Sequence, residues 1–320
     1  MNKNVNNTYL YGDDTATVVY RDTLEQCLKI IDNFATPTQI RKLKKDLQVE
    51  GDKFDEVKYL QAACETSVAA TIASCFPNTF QYEPKLNPPA DVDCSFSYNG
   101  FKYNIEVKCP DYSKAHSQEA REVFNIGAFG RLDGFKGMAN DLVGLFESVG
   151  KPLEVQPHMD NKLKDYLLSA NNKFPANTDE RELNVLLVCC DTALDLQKWF
   201  SYMHCEKGLL TAESFHQPDD YSKVDVVVLT NLYHRHYSYK KKSKITDNWS
   251  LGNSFNLVFD NRSTLREKNE AILSLVNILP NYSREVFDYH VSEIERPLLI
   301  PLFVNNELIS KNIFYFDPSM

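Results

Sequence analysis

The sequence predicts an α/β protein in which a mixed sheet is flanked by helices. Three observations carry that expectation. Residues 91–108 alternate in polarity on both sides of Asn99-Gly100, the signature of a tight hairpin. Two nearly continuous apolar runs, 183–190 and 224–229, have the composition of strands buried on both faces, with a helical stretch, 194–204, between them. A long helical pattern over 54–76 precedes the hairpin and is closed by Pro77.

Residues 1–20 read as irregular or as a short strand. Helices are expected over 22–34 and 38–47, divided by Thr36-Pro37-Thr38. The second carries Arg41, Lys42, Lys44 and Lys45. These could touch phosphates, although a solvated helical face is the favoured reading. In the helix over 54–76, Val57, Leu60, Cys64, Val68, Ile72 and Cys75 follow helical spacing. At about 100° per residue, Glu65 falls within about 20° of Phe54 and Ile72, toward the core side.

Asn99 and Gly100 both tolerate positive φ, which fixes the hairpin register. Tyr98 then pairs with Phe101. Counting outward sets Ser97 opposite Lys102, Phe96 opposite Tyr103, Cys94 opposite Ile105, Asp93 opposite Glu106 and Asp91 opposite Lys108. Alternation sends Val92, Cys94 and Phe96 to an apolar face with Ile105, Val107 and Cys109. Asp91, Asp93, Ser95, Glu106 and Lys108 take the other face. Opposed carboxylates with Cβ atoms about 5 Å apart repel by roughly 3 kcal/mol at an effective dielectric of about 20. A hard divalent ion held by one or two carboxylates and several waters would absorb that cost, the usual magnesium arrangement.

Asp93 followed by Glu106-Val107-Lys108 on the neighbouring strand resembles the PD-(D/E)xK nuclease superfamily, with its restriction-endonuclease-like fold. The resemblance spans 53–232, in the family's order of helix, three antiparallel strands, helix and further strand. The Pro-Asp pair of the family name is loosened here to Pro89-Ala90-Asp91-Val92-Asp93. Asp91 and Asp93 are therefore alternatives as ligand, and cross-strand geometry favours Asp93. The resemblance implies a metal-dependent endonuclease acting on DNA, of restriction, defence or repair type, with RNA not excluded. It implies Mg²⁺, replaceable by Mn²⁺, held by Asp93, Glu106 and the Val107 carbonyl. Lys108 would orient the attacking water or stabilise charge on the phosphorane. Glu65 matches an acidic helix residue that approaches the metals in some members; its alternative is a carboxylate at the edge of the buried stripe. A second reading keeps the fold as an inactive nucleic-acid- or protein-binding module. A third is a structural hairpin in which Asp91 pairs with Lys108 and Glu106 takes an arginine.

Beyond the hairpin a helix is expected over 113–124 with His116, Gln118 and Glu119, lining the substrate channel by the same resemblance. The glycines at 127, 130, 134 and 137 lack Walker spacing and read as a flexible loop over the active-site edge, with an ordinary surface connection as the alternative. Helices are expected over 139–149 and 159–170. Residues 233–244 interleave aromatics with cations, and Arg235, Tyr237, Lys240, Lys241 and Lys242 are the expected nucleic-acid contacts. A solvated basic loop is the alternative. His234 and His236 have no acid beside them in the sequence to complete a metal site. A strand over 255–259, a helix over 264–278 and an apolar run over 298–304 close the chain. The expected division is a helical extension (1–52), a nuclease-like core (53–245, with helices inserted at about 125–180) and an α+β elaboration (246–320).

A net charge of −9 restricts any polyanion contact to local patches. No segment approaches the run of about 18 apolar residues that spans a bilayer, and the first residues are not signal-like. Eight cysteines at irregular positions suit a reducing cytoplasm. Neighbours on a strand face opposite ways, so Cys189 and Cys190 do not make a zinc pair. Oligomeric state stays open, a homodimer being the natural arrangement if both strands of a duplex are cut.

Overall fold

The computed structural model describes residues 6–114, 117, 124–128, 131–156, 158–175, 179–240, 247–261 and 268–279. Its strands are β1 (Gln81–Tyr82), β2 (Cys94–Tyr98), β3 (Phe101–Lys108), β4 (Phe124–Ile126), β5 (Leu153–Val155), β6 (Glu182–Cys189), β7 (Val226–Thr230) and β8 (Asn256–Asp260). Its helices are α1 (Thr15–Asp32), α2 (Pro37–Asp46), α3 (Glu56–Cys75), α4 (Phe135–Ser148), α5 (Asp160–Lys173), α6 (Ala193–His204), α7 (Leu232–Tyr237) and α8 (Asn269–Ile278). Six strands form one open sheet in the order β1-β2-β3-β6-β7-β8. β2 runs antiparallel to both β1 and β3, β6 and β7 continue parallel to β3, and β8 returns antiparallel. β4 and β5 make a separate parallel pair.

The hairpin turns as its dipeptide requires, with φ of 51° at Asn99 and 80° at Gly100. Its ladder runs from Tyr98 opposite Phe101 to Cys94 opposite Ile105, in the expected register. There it stops. The Asp93 amide donates to the Ile105 carbonyl at 3.1 Å, so the chain entering β2 departs from strict alternation. Val92 is consequently displaced from its expected face. It packs with Leu163 and Leu167, in the core opposite that of Cys94 and Phe96.

The sheet separates two cores, and strand alternation assigns side chains to them. Val185, Leu187 and Cys189 of β6 join Ile105 and Val107 under α1, α2, α3 and α8. Leu186, Val188 and the following Cys190 face Leu163, Leu167 and Trp199 of α5 and α6. Cys189 and Cys190 do point into different cores. A Leu→Ala change within β6 would cost about 2–5 kcal/mol, as for other closed sites in packed cores.

Helix boundaries follow their caps. α1 begins at Thr15, well before the expected residue 22, because the Asp14 carboxylate accepts the Thr17 amide at 2.9 Å. Thr17, Tyr20, Leu24, Cys27 and Ile31 form its buried stripe. Thr36 and Gln39 make a reciprocal capping box on α2, with Pro37 in the first turn. α3 is buried nearly all round, but Cys75, placed on its stripe by spacing, is exposed. Phe124 opens β4 instead of closing a helix. His116, Gln118, Glu119, Gly130, Lys241, Lys242 and the run 298–304 lie outside the described residues. Among the described residues, no helix is long and apolar enough to cross a membrane.

Candidate active site

The last residues of β3 leave the hairpin ladder and run beside β6, with Glu106 in register with Leu186 and Lys108 with Val188. Glu106 and Lys108 therefore share a sheet face, two residues apart. Their side chains meet: Lys108 Nζ lies 2.5 Å from Glu106 Oε1. A second ammonium, that of Lys173 at the end of α5, reaches the same oxygen at 2.7 Å. The Glu106 side chain is only 1% exposed, so both pairs act in a poorly screened setting. Its other oxygen, Oε2, is buried and has no hydrogen-bond partner among the described residues. An orphaned carboxylate oxygen of this kind needs a cation or a donor to complete it.

Asp93 comes to Glu106 by a route that alternation alone does not describe. Having left the ladder, it turns its carboxylate back onto β3, where Oδ2 accepts the Val107 amide at 2.5 Å. Burial and then the Glu106 carboxylate push the Asp93 pKa up to about 7, against the Val107 amide, Lys173 and Lys108. Glu65, on α3, is driven in the same direction. Burial first, then Asp93 and Cys109, with Glu106 behind them, raise it well above the usual carboxylate range against the pull of Lys108. Burial acts to lower the Lys173 pKa, but Glu106, backed by Asp93 and Asp91, raises it above its ordinary value. Three carboxylates are thus gathered around two lysines, and two of the acids resist ionisation.

Of the expected site residues, Glu65, Asp93, Glu106, Val107 and Lys108 are brought together at the end of β3. Lys108 pairs with Glu106 instead of Asp91, and Glu106 takes lysines where an arginine was the alternative. Among the described residues, no group of three or more His, Cys, Asp or Glu side chains is placed to hold a metal ion. The donor set still fits a hard ion of the magnesium type, which binds through one or two carboxylates and keeps its waters. The buried, unpartnered Glu106 oxygen is the observation that favours that fit.

The expected nucleic-acid contacts fare differently. Residues 232–237 form α7, and Tyr233, His234, Arg235 and His236 are buried. The Arg235 guanidinium donates to the carbonyls of Asn253 and Asp247, holding an internal loop rather than facing solvent. Tyr237 packs against the first core. Lys240 is exposed, but its ammonium donates to the Thr8 carbonyl at 2.6 Å. His236 bridges Tyr20, at 2.7 Å from Nδ1, and Ser67, at 2.9 Å from Nε2. His234 does have an acid beside it, Asp191 at 3.1 Å, supplied by a distant part of the chain.

Two features escaped sequence reasoning. Lys173 is distant in sequence from Glu106, and only the folding of α5 over the sheet joins them. The other is a surface cavity of about 710 Å³ that Glu65 lines together with Lys45, Lys53, Lys58, Gln61 and Phe54. Asp46 and Asp55 line it too, so its charge is balanced rather than strongly basic. The basic helix α2 was visible in the sequence, but its position beside Glu65 was not. The chain matches no protein-family model, no curated protein and no solved structure.

Proposed function

We propose that this protein is a metal-dependent phosphodiesterase acting on DNA, a nuclease of the kind that Asp93 and Glu106-Val107-Lys108 resemble. One observation carries the reading: Glu65, Asp93 and Glu106 crowd around Lys108, and one Glu106 oxygen is buried without a partner among the described residues. Three antiparallel strands followed by parallel β6, with α3 in front, support it further, because this is the order expected of the restriction-endonuclease-like core.

Asp93 and Glu106, with the Val107 carbonyl, would hold the ion, and Glu65 would hold its waters or a second ion. Bound there, Mg²⁺ supplies Lewis acidity and a water of lowered pKa. The chain's own residues do the rest. The Val107 amide fixes the Asp93 carboxylate, so that donor is aimed before any ligand arrives. Lys108, anchored by Glu106, presents an ammonium that stabilises negative charge as it grows on the phosphoryl oxygens. DNA reaches the site along the cavity beside Glu65, where Lys45, Lys53 and Lys58 meet backbone phosphates.

The test is cleavage of supercoiled plasmid with Mg²⁺ or Mn²⁺, beside EDTA and Lys108→Ala. Wild type is expected to cut only with metal. Lys108→Ala should bind DNA normally and cut at least roughly a hundredfold more slowly, a typical loss for a charge-stabilising group. Unchanged cutting by this variant would remove the lysine from the mechanism.

A second reading is favoured by a specific contact, the two ammonium groups already on Glu106 Oε1. A finished ion-pair network of this sort suits an inactive module that binds nucleic acid or protein. That reading requires that wild type cut nothing under any metal and that Asp93→Ala leave binding intact.

A further inference from the structure

We propose that Lys173 is the resident cation of this site, holding the Glu106 carboxylate that a divalent ion needs and yielding it only when that ion binds. The inference rests on the metal-dependent reading and adds to it a residue outside the Asp93 and Glu106-Val107-Lys108 pattern.

The geometry is unusually one-sided. Lys108 and Lys173 both address Glu106 Oε1, at 2.5 and 2.7 Å, while Oε2 is buried and has no partner among the described residues. One carboxylate is neutralised by one ammonium, so the second is in excess for Glu106 and is repelled by the first. Asp93 and Asp91 help to retain it there. The two lysines are not equally fixed. Lys108 rises from a strand paired with β6, and its neighbour Val107 is tied to Asp93. Lys173 is the last residue of α5, at a helix end rather than within a paired strand, and its side chain is 26% exposed against 21% for Lys108. Lys173 is therefore the cation that can leave. Its departure leaves Glu106 Oε1 to Lys108 alone and removes a positive charge from the place a dication would enter.

Titration calorimetry of the full chain with Ca²⁺, a hard oxygen-seeking ion, tests this. Lys173→Met is expected to bind Ca²⁺ about tenfold or more tightly than wild type, since no ammonium has to be displaced. Lys173→Arg, which keeps the charge and grips a carboxylate in a fork, should bind no more tightly than wild type. Lys164→Met, on the same helix, should change nothing. In wild type, the ¹⁵N signal of the Lys173 ammonium should move on saturation with Ca²⁺. Unchanged or weaker affinity in a folded Lys173→Met protein would overturn the proposal. If that variant does not fold, an unmoved Lys173 signal in Ca²⁺-saturated wild type overturns it equally. Absence of Ca²⁺ binding by wild type would remove the metal-dependent reading and this inference with it, whereas binding without any Lys173 effect removes the inference alone.

Discussion

The end of β3 and the segment through α7 both concentrate ionisable side chains, yet they have opposite electrostatic character. At the end of β3, burial and like charge push Asp93 up to about 7 and raise Glu65, and a Glu106 oxygen lacks a partner. Around His236 of α7 the polar groups are matched to one another. Tyr59 donates to Tyr20 at 3.1 Å, Tyr20 meets His236 Nδ1, and His236 Nε2 meets Ser67. Burial and then Arg235 push the His236 pKa down to about 3, so its ring is neutral near pH 7. Arg235 itself is tied to two carbonyls. The His236 network joins elements of the fold, whereas the open Glu106 oxygen is the place where we propose that a cation binds.

Arg235→Ala should show the largest effect. It leaves two carbonyls without their donor inside the protein, and a loss of about 3–5 kcal/mol in urea unfolding is expected, with DNA affinity of the folded fraction unchanged. Weak destabilisation combined with lost DNA binding would return this arginine to the surface role that composition suggested.

pH dependence sharpens the comparison next, because the two regions titrate with opposite sign. Asp93 binds its proton more tightly when folded, so its contribution falls as pH rises from 3.8 to about 7. His236 binds its proton less tightly when folded, so its contribution is full above 6.5 and is lost as pH falls toward about 3. In metal-free buffer, Asp93→Asn should therefore gain on the order of 1–3 kcal/mol at pH 8, with the gain vanishing near pH 4. His236→Asn should flatten the acid limb instead. Thermal unfolding across pH measures both, and a shared direction would break the comparison.

The smallest effect belongs to the cavity beside Glu65. Lys45→Ala should weaken DNA binding a few-fold and lower the slope of log affinity against log salt by about one, in fluorescence anisotropy. No change would place the polyanion path elsewhere.

Much of the frame was legible in the sequence. Asn99-Gly100 set the hairpin register, and the two apolar runs became β6 and β7 at the centre of the sheet. The pattern around Asp93 was legible in its residues but not in its geometry. A departure from alternation at the entrance to β2 depends on where Val92 finds its core, which is a tertiary matter. Lys173 carried no local signal at all, since its partner is reached only through α5 packing on the sheet. In the stretch 233–240, aromatics and cations in alternation look alike in sequence whether solvated or buried, and Tyr233, His234, Arg235 and His236 are buried. Leu232, Tyr233, His236 and Tyr239 fall at helical spacing, and that pattern was available to identify a buried face. The α1 start was readable in the same way from Asp14, a good cap residue, and from Thr17, Tyr20 and Leu24.

On the proposed reading, the end of β3 is an uncompleted cation site. Its most direct measurement is the thermal unfolding of wild type and Asp93→Asn at pH 8, with and without Mg²⁺. Wild type should be clearly stabilised by Mg²⁺, while Asp93→Asn should start higher without metal and gain little from it. Equal responses of the two proteins, or no response in either, would mean that the lysines already complete the site and that no ion is awaited there.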